Sequence, residues 1–302
     1  MRVAVTGATG FVGRWLVPEL ERAGHVVAAA PSHGELDIRD TAAVRRWIEH
    51  VSPESIVHLA AVSFGPAAEA SPDSALAITV GGTVALLEAI VASGGRPTLL
   101  VTGSSDVYGA PDPSDLPLRE MSPLRPSRAY AMTKIAQECI AEAYSARHGF
   151  RVVVSRSFNH TGPGQRTDFV VPALARRLLD LSAGRTDRLR VGNLDVRRDF
   201  LDVRDVVVAY RLLLEGVTNG KIEGGIYNVC SGSSVAIRTI VEELAALIGV
   251  TPVLEVDPEL VRPGEPPEIR GDPRRIIEAT GWRPTMDRSQ TLADVVDGLR
   301  HG

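Results

Sequence analysis

Short, continuous apolar runs alternate with longer stretches whose apolar residues recur every three or four positions, and the alternation persists through the first half of the chain. The continuous runs centre on residues 3–6, 26–30, 55–59, 98–102 and 151–157, the last apolar at Val152-Val153-Val154. Strands buried on both faces read this way, because neither face needs a polar residue, and such strands belong to parallel sheets. Helical periodicity falls between them, near 12–23, 41–50, 74–93 and 128–147. The pattern predicts an α/β fold with a doubly wound parallel sheet of buried strands. After residue 158 the regularity fades. Helices are expected at 203–215 and 236–248, a loop at 112–126, and a surface-wrapping segment at the Pro-rich 252–273. A first unit is expected from 1–158 plus about 195–228, and a smaller C-terminal lobe from about 159–194 plus 229–302.

Composition narrows the class. At 302 residues the chain is long enough for a large core. Charged residues make up 23% and the net charge is −4, which gives no electrostatic footprint for nucleic acid or an anionic membrane. No apolar run is expected to reach the roughly 18 residues of a membrane span. The N-terminus enters a strand directly, so no signal peptide is expected and the cytoplasm is the default location. Cys139 and Cys230 are isolated and the seven His lack ligand spacing, so neither a disulfide framework nor a metal is expected.

The first chemical signal follows the first strand. Gly7, Gly10 and Gly13 form a G-x-x-G-x-x-G loop that leads into a helix starting near Phe11. Gly7 permits a tight turn, Gly10 lets the backbone approach a phosphate, and Gly13 lets the helix pack on the strand. Free N–H groups and the helix dipole then attract a pyrophosphate, as in Rossmann-type folds. The competing reading is a glycine turn kept for packing alone.

The second signal is Tyr130-Ala131-Met132-Thr133-Lys134 at the start of a helix. At i and i+4, Tyr130 and Lys134 project from one helical face. In isolation such a pair is often a surface feature. Here the strand ending in Thr102-Gly103-Ser104-Ser105 supplies hydroxyls at a sheet's carboxyl edge, where open α/β sheets bind ligands. A phenol with a pKa of about 10 is a poor acid–base group at neutral pH, and a neighbouring ammonium favours its phenolate. Lys134 is therefore expected to lower the pKa of Tyr130.

Together these segments resemble the extended short-chain dehydrogenase/reductases, the group of nucleotide-sugar epimerases, dehydratases and reductases. The resemblance rests on Thr6-Gly7 through Gly13, Leu36-Asp37-Ile38-Arg39-Asp40, His58-Leu59-Ala60-Ala61, Ser104 through Gly109, and Tyr130 through Lys134. In the second half, Phe158-Asn159-His160-Thr161-Gly162-Pro163-Gly164-Gln165 is similar to the substrate loop of GDP-6-deoxy-4-keto-D-mannose reductases. So are Val191 through Leu194, Arg198 through Asp205, and Tyr227 through Gly232. The resemblance spans nearly the whole chain.

It implies a Rossmann-type dinucleotide-binding domain and a smaller nucleotide-sugar-binding lobe. Ser104, Tyr130 and Lys134 would be catalytic. The cofactor would meet Gly7, Thr9, Gly10, Phe11, Val12, Gly13, Leu59, Ala60, Ala61, Ser63, Thr79, Thr102, Tyr130 and Lys134, with Asp37 and Ile38 at the adenine. The sugar nucleotide would meet Ser105, Asp106, Asn159, Gln165, Val170, Asn193, Arg198, Arg262 and Glu265. On chemistry, Arg198 and Arg262 suit phosphate, Glu265 suits ribose hydroxyls, and Asn159 and Asn193 can donate and accept. Arg156 and Arg204 read as structural. A homodimer is implied, paired through the helices near 82–93 and 128–147.

The cofactor reads as NADP, with NAD as a second acceptable one. No carboxylate ends the second strand to bind ribose hydroxyls, and Arg14 can face a 2′-phosphate or simply lie in solvent. Three local departures from the family stand out. Thr79 replaces a frequent Asn, Ala129 replaces a Pro before the catalytic Tyr, and Ser105-Asp106 replaces the longer acid–base pair of the dehydratases. The implied reaction is reduction of a nucleotide-linked 4-keto-6-deoxyhexose, GDP-4-keto-6-deoxy-D-mannose to GDP-D-rhamnose. A 4,6-dehydratase, a 4-epimerase and a dTDP-sugar reductase share the apparatus. A binding protein on an inactive dehydrogenase fold is the non-enzyme alternative.

Overall fold

A computed structural model describes residues 1–261 and 264–301. Six strands, Arg2–Thr6, Val26–Ala29, Ser55–His58, Thr98–Thr102, Val152–Ser157 and Gly225–Val229, form one sheet. All its pairings are parallel, and by chain position the order is second, first, third, fourth, fifth, sixth. The order reverses beside the first strand, so a crevice opens at the carboxyl ends of the first and third strands.

Alternation along these strands separates two cores. Val3, Val5, Val57, Leu100, Val153 and Val229 face one side, where helices Phe11–Arg22 and Val203–Thr218 pack. Ala4, Ile56, Leu99, Val101, Val152 and Val154 face the other, covered by Thr41–Val51, Gly82–Ala92 and Ala129–His148. The second strand corrects the expectation of buried strands throughout. It is an edge strand and Val26 is 68% exposed, because the 31–40 segment turns back without adding a neighbour.

A third core lies beyond the sheet. Helices Val170–Ser182, Ile237–Ile248 and Arg288–His301 pack through Val171, Leu178, Leu244, Leu292 and Val296. Leu254–Val256, inside the Pro-rich segment, pairs in parallel with Leu189–Val191 and is exposed along its length. Asn159–Thr161 pairs with Phe200–Asp202, which carries the chain back to the main sheet.

The Pro72–Ala92 run overturns the expectation about apolar length, since it has the length and hydropathy of a membrane span. Its apolarity has a use within the fold. Leu86, Leu87, Ala89 and Ile90 are buried in the core beneath it, and half of the apolar window is buried.

Asp199 ties the two regions together. One carboxylate oxygen accepts from Ser231 N at 2.8 Å and Ser231 Oγ at 2.7 Å; the other accepts from Gly232 N at 3.1 Å and Gly271 N at 3.2 Å. An amide offers only one accepting end. Asp199→Asn therefore turns an NH2 toward buried donors whichever way it sits, and should lower unfolding free energy by about 2–4 kcal/mol in urea titrations. A change under about 0.5 kcal/mol, the size of an ordinary surface substitution, would contradict this account of the junction.

Candidate active site

The glycine loop is built by close backbone approach. Gly7 has φ +67°, and a Cβ there would lie 2.8 Å from Ala60 N. A Cβ on Gly13 would lie 2.4 Å from Ala8 O and 2.5 Å from Gly7 O. Gly10 N donates to Gly7 O at 3.0 Å, and Gly10 caps the Phe11–Arg22 helix without any side-chain cap bond. The first-turn N–H groups of Phe11, Val12 and Gly13 thus have no competing carboxylate or hydroxyl. This cradle fits the pyrophosphate of a dinucleotide.

Around it lie the other residues expected at the cofactor. Thr9 O accepts from Arg14 Nε at 3.1 Å, which draws the guanidinium over the loop. Leu59, Ala60 and Ala61 are half-buried and Ser63 is exposed, all just past the third strand. Ile38 is buried against Gly82, where a Cβ would lie 2.7 Å from Ile38 Cγ2. Asp37 is gripped by Arg39, which holds its carboxyl down at about 2. Glu35 folds back on the end of the second strand and accepts from Ser32 N and Oγ.

The departures at Thr79 and Ala129 have structural uses. Thr79, fully buried in the π-helical turn Ala77–Gly81, accepts from Val62 N at 3.2 Å, so its hydroxyl orders the loop after the third strand. Ala129 N donates to Glu69 Oε1 at 2.6 Å, a bond that proline in its place has no N–H to make.

Ser104, Tyr130 and Lys134 converge at the carboxyl end of the fourth strand. Ser104 is hydrogen-bonded to Tyr130, and Ser104 Oγ accepts from Asp106 N at 3.2 Å. Lys134 Nζ donates to Thr102 O at 2.8 Å and to Gln137 Oε1 at 3.0 Å. The electrostatics correct one expectation. Burial and the Asp106 charge raise the Tyr130 pKa, and the bond with Ser104 lowers it only in part. Lys134 does not offset the rise, because its ammonium is directed at a strand carbonyl and an amide. Burial in turn pulls Lys134 down to about 8, against the opposing pull of Glu138.

Arg156 is structural, as read from the sequence. It is buried, pairs with buried Glu138 at 2.8 Å, and donates to Tyr108 Oη and Glu120 O. Glu138 lies one turn beyond Lys134, so this pair anchors the Ala129–His148 helix to the fifth strand. Arg204 is likewise spent on Asp202 and Asp294.

The substrate residues are less uniform. Asn159 begins its short strand at the end of the fifth sheet strand, and Ser105 is buried while Asp106 is exposed beside Tyr130. Gln165 accepts from Thr161 Oγ1 and donates to His160 O, so both ends of its amide brace the 159–165 loop. Asn193 is exposed and accepts from Asp195 N at 3.0 Å. Arg198 and Glu265, expected to bind different parts of a ligand, pair with each other at 2.8 Å. Val170, 39% exposed, opens the Val170–Ser182 helix. Arg262 lies outside the described residues.

Several contacts join the two halves in pairings that no motif foretells. Phe11 stacks on His160 with centroids 6.4 Å apart, and Trp15 Nε1 donates to Pro163 O at 3.2 Å. Phe64 meets Phe169 edge-on at 5.4 Å. No spacing rule connects these partners, which lie 105 to 149 residues apart. Gln137 was equally silent.

Known proteins resemble this chain over nearly its whole length. The NAD dependent epimerase/dehydratase family profile matches residues 3–230. The chain is 37% identical to GDP-6-deoxy-D-mannose reductase of Pseudomonas aeruginosa, over 98% of this chain and 96% of that protein. It is 28% identical to GDP-6-deoxy-D-talose 4-dehydrogenase of Aggregatibacter actinomycetemcomitans, over 93% and 92% respectively. The structure of RMD from Pseudomonas aeruginosa complexed with NADPH superposes with a TM-score of 0.91 at 36% identity, covering 99% of each chain.

Proposed function

The chain belongs to the NAD dependent epimerase/dehydratase family, and from that footing we propose that it reduces the 4-keto group of GDP-4-keto-6-deoxy-D-mannose with NADPH, giving GDP-D-rhamnose. The observation that carries the reading is the meeting of Ser104, Tyr130 and Lys134 beside a dinucleotide cradle. The end-to-end likeness to GDP-6-deoxy-D-mannose reductase supports the choice of substrate.

When bound, reduced nicotinamide supplies a hydride for the keto carbon. The protein supplies the proton and the alignment. Tyr130 is protonated across the working pH range, because its surroundings raise its pKa. Its hydroxyl gives its proton to the oxyanion developing at C4, and Ser104, bonded to Tyr130 in the free protein, would turn its single hydroxyl proton to that oxygen as a second donor. The Lys134 ammonium, one helical turn along and held on the Thr102 carbonyl and the Gln137 amide, keeps one further N–H and its positive charge for the site. Burial brings the Lys134 midpoint down to about 8, so turnover is expected to fall as pH rises through that value and the ammonium is lost.

Site assignments rest on the same reading. The dinucleotide is assigned to the glycine loop, the first helical turn and the 59–63 segment, with adenine at Asp37 and Ile38. The sugar nucleotide is assigned to Asn159, Asn193, Arg198 and Glu265 across the cleft, which requires the Arg198–Glu265 pair to open toward the ligand. Residues 1–158 plus about 195–228 are assigned as the dinucleotide domain and the rest as the sugar-nucleotide lobe, although Ile276 and Trp282 of the lobe segment pack into the main-sheet core and Val196 into the lobe core.

NADPH is the proposed cofactor. Glu35 and Asp37 are each engaged by neighbouring donors, and Arg14 stands at the loop. Catalytic efficiency with NADPH should at least equal that with NADH. A preference for NADH beyond about tenfold, or ~1.4 kcal/mol, would overturn this choice. GDP should raise the melting temperature more than dTDP or UDP at equal concentration; the reverse ranking would move the substrate to another nucleotide.

A homodimer through the Gly82–Ala92 and Ala129–His148 helices is also proposed. Tyr144 Oη donates to Glu88 and joins the two helices, while Met132 and Leu76 leave apolar surface exposed nearby. Light scattering at micromolar concentration should give twice the monomer mass or a multiple of it. A monomer contradicts the assignment. The cytoplasm, where reduced cofactor and nucleotide sugars meet, is the proposed location.

A further inference from the structure

Gln137 lies three residues beyond Lys134 on the Ala129–His148 helix and is fully buried. Its carboxamide stands between two groups with opposite needs. Oε1 accepts from Lys134 Nζ at 3.0 Å, and Nε2 donates to Thr83 Oγ1 at 2.8 Å. The two ends of an amide are nearly the same shape, so its orientation must be set by its surroundings.

Here the surroundings leave one arrangement. Thr83 donates its only hydroxyl proton to Thr79 O at 2.6 Å. Thr83 Oγ1 is therefore an acceptor, both toward Gln137 and toward His58 Nε2 at 3.0 Å. His58 must carry its proton on Nε2, so its Nδ1 accepts from the Thr6 hydroxyl at 2.7 Å. Thr6 Oγ1 in turn accepts from Ala60 N at 3.2 Å. Each group has one consistent role, from the backbone beneath Gly7 to the catalytic ammonium. Burial holds His58 down at about 3, so the ring stays neutral and the chain does not reverse at working pH.

We infer that Gln137 is a positioning residue for the catalytic lysine: its Oε1, aimed by Thr83 and the neutral His58 behind it, holds the Lys134 ammonium against the Thr102 carbonyl. The inference rests on the reading of Ser104, Tyr130 and Lys134 as the reaction centre. The titratable groups around the ammonium are His58 from the third strand and Tyr130 and Glu138 from its own helix. Glu138 is compensated by Arg156 from the fifth strand, and Asp106 acts beyond Tyr130. Burial works against the charge, so the two oxygen acceptors keep the proton on Nζ.

The test is direct because the chain contains only two lysines, Lys134 and the exposed Lys221. Labelling the lysine ε-carbons gives one NMR signal for each, with Lys221 as internal reference. The wild-type Lys134 signal should titrate near 8. Gln137→Met keeps the volume but removes the acceptor, and should move the midpoint down by about one pH unit. Gln137→Glu sets a carboxylate on the ammonium, and should move it up by about as much. Turnover of Gln137→Met should fall about tenfold or more with little change in sugar-nucleotide KM, and the alkaline limb of the rate profile should follow the NMR midpoint.

Opposite displacements by two folded variants are not expected of a residue that only fills space. An unmoved Lys134 midpoint in both variants, with melting temperatures near wild type, overturns the inference. If Gln137→Met does not fold, an unmoved midpoint in Gln137→Glu overturns it alone. The titration needs no turnover, so it stands apart from the proposed reaction. Wild-type activity in Lys134→Met would instead strike the reading of the catalytic centre.

Discussion

Tyr130→Phe is expected to lower turnover by at least about 100-fold while NADPH still binds, because general-acid catalysis contributes that much and the ring itself is kept. The loss should appear in kcat and kcat/KM alike, since the proton is transferred only as the oxyanion forms. Tyr130 is bonded to Ser104 and sits one turn from Lys134, so the phenylalanine ring fills the same place without the reacting atom. Cofactor fluorescence titration and steady-state rates on the same preparation separate the two effects. Near wild-type reduction would remove Tyr130 from the mechanism. Weakened cofactor binding matching the rate loss would reassign it to the cofactor site.

Gly13→Ala is the second large effect, and it acts on binding. The added Cβ would lie 2.4 Å from Ala8 O, 2.5 Å from Gly7 O and 2.6 Å from Ala8 C. All three are backbone atoms of the loop proposed to hold the pyrophosphate, so no flexible side chain can yield. Overpacking of this kind costs about 1–3 kcal/mol, and if it is relieved by opening the loop, NADPH affinity falls about ten- to hundredfold. Isothermal titration with NADPH measures it. Unchanged affinity in a folded Gly13→Ala protein would show that the cradle is not where the phosphates bind.

Five of the six strands of the main sheet were legible because buried parallel strands write themselves as apolar runs; the sixth, Gly225–Val229, lies where that regularity has faded. Thr98–Thr102 and Val152–Ser157 need no tertiary information to be seen. The glycine loop and the Tyr130–Lys134 spacing were legible for a related reason: their geometry is local, within a single turn or a single strand-to-helix junction. What was misread depended on neighbours. The second strand looks buried in sequence, but only the sheet order makes it an edge. Pro72–Ala92 was not seen as span-length, because Asp73 and Glu88 interrupt it and its mean hydropathy emerges only over the continuous helix.

Electrostatics were the least legible. Tyr130 and Lys134 at i and i+4 suggest a direct charge effect, yet the ammonium turns to the Thr102 carbonyl and to Gln137. That choice depends on a strand and an amide that no spacing rule connects to the motif. Arg198 and Glu265 show the same limit. Each has the right chemistry for a ligand, and 67 residues separate them, so their pairing is visible only in the fold.

The reaction proposed for this chain is net reduction of a nucleotide-linked 4-keto sugar. A dehydratase or epimerase returns its cofactor to the starting redox state in each cycle, whereas a reductase consumes it. The most direct measurement follows nicotinamide absorbance when GDP-4-keto-6-deoxy-D-mannose is added to the protein with NADPH. The account predicts loss of one NADPH per sugar reduced, with no signal and no keto product from GDP-mannose alone. Conversion of GDP-mannose without net cofactor use, or interconversion of UDP-glucose and UDP-galactose, would contradict it.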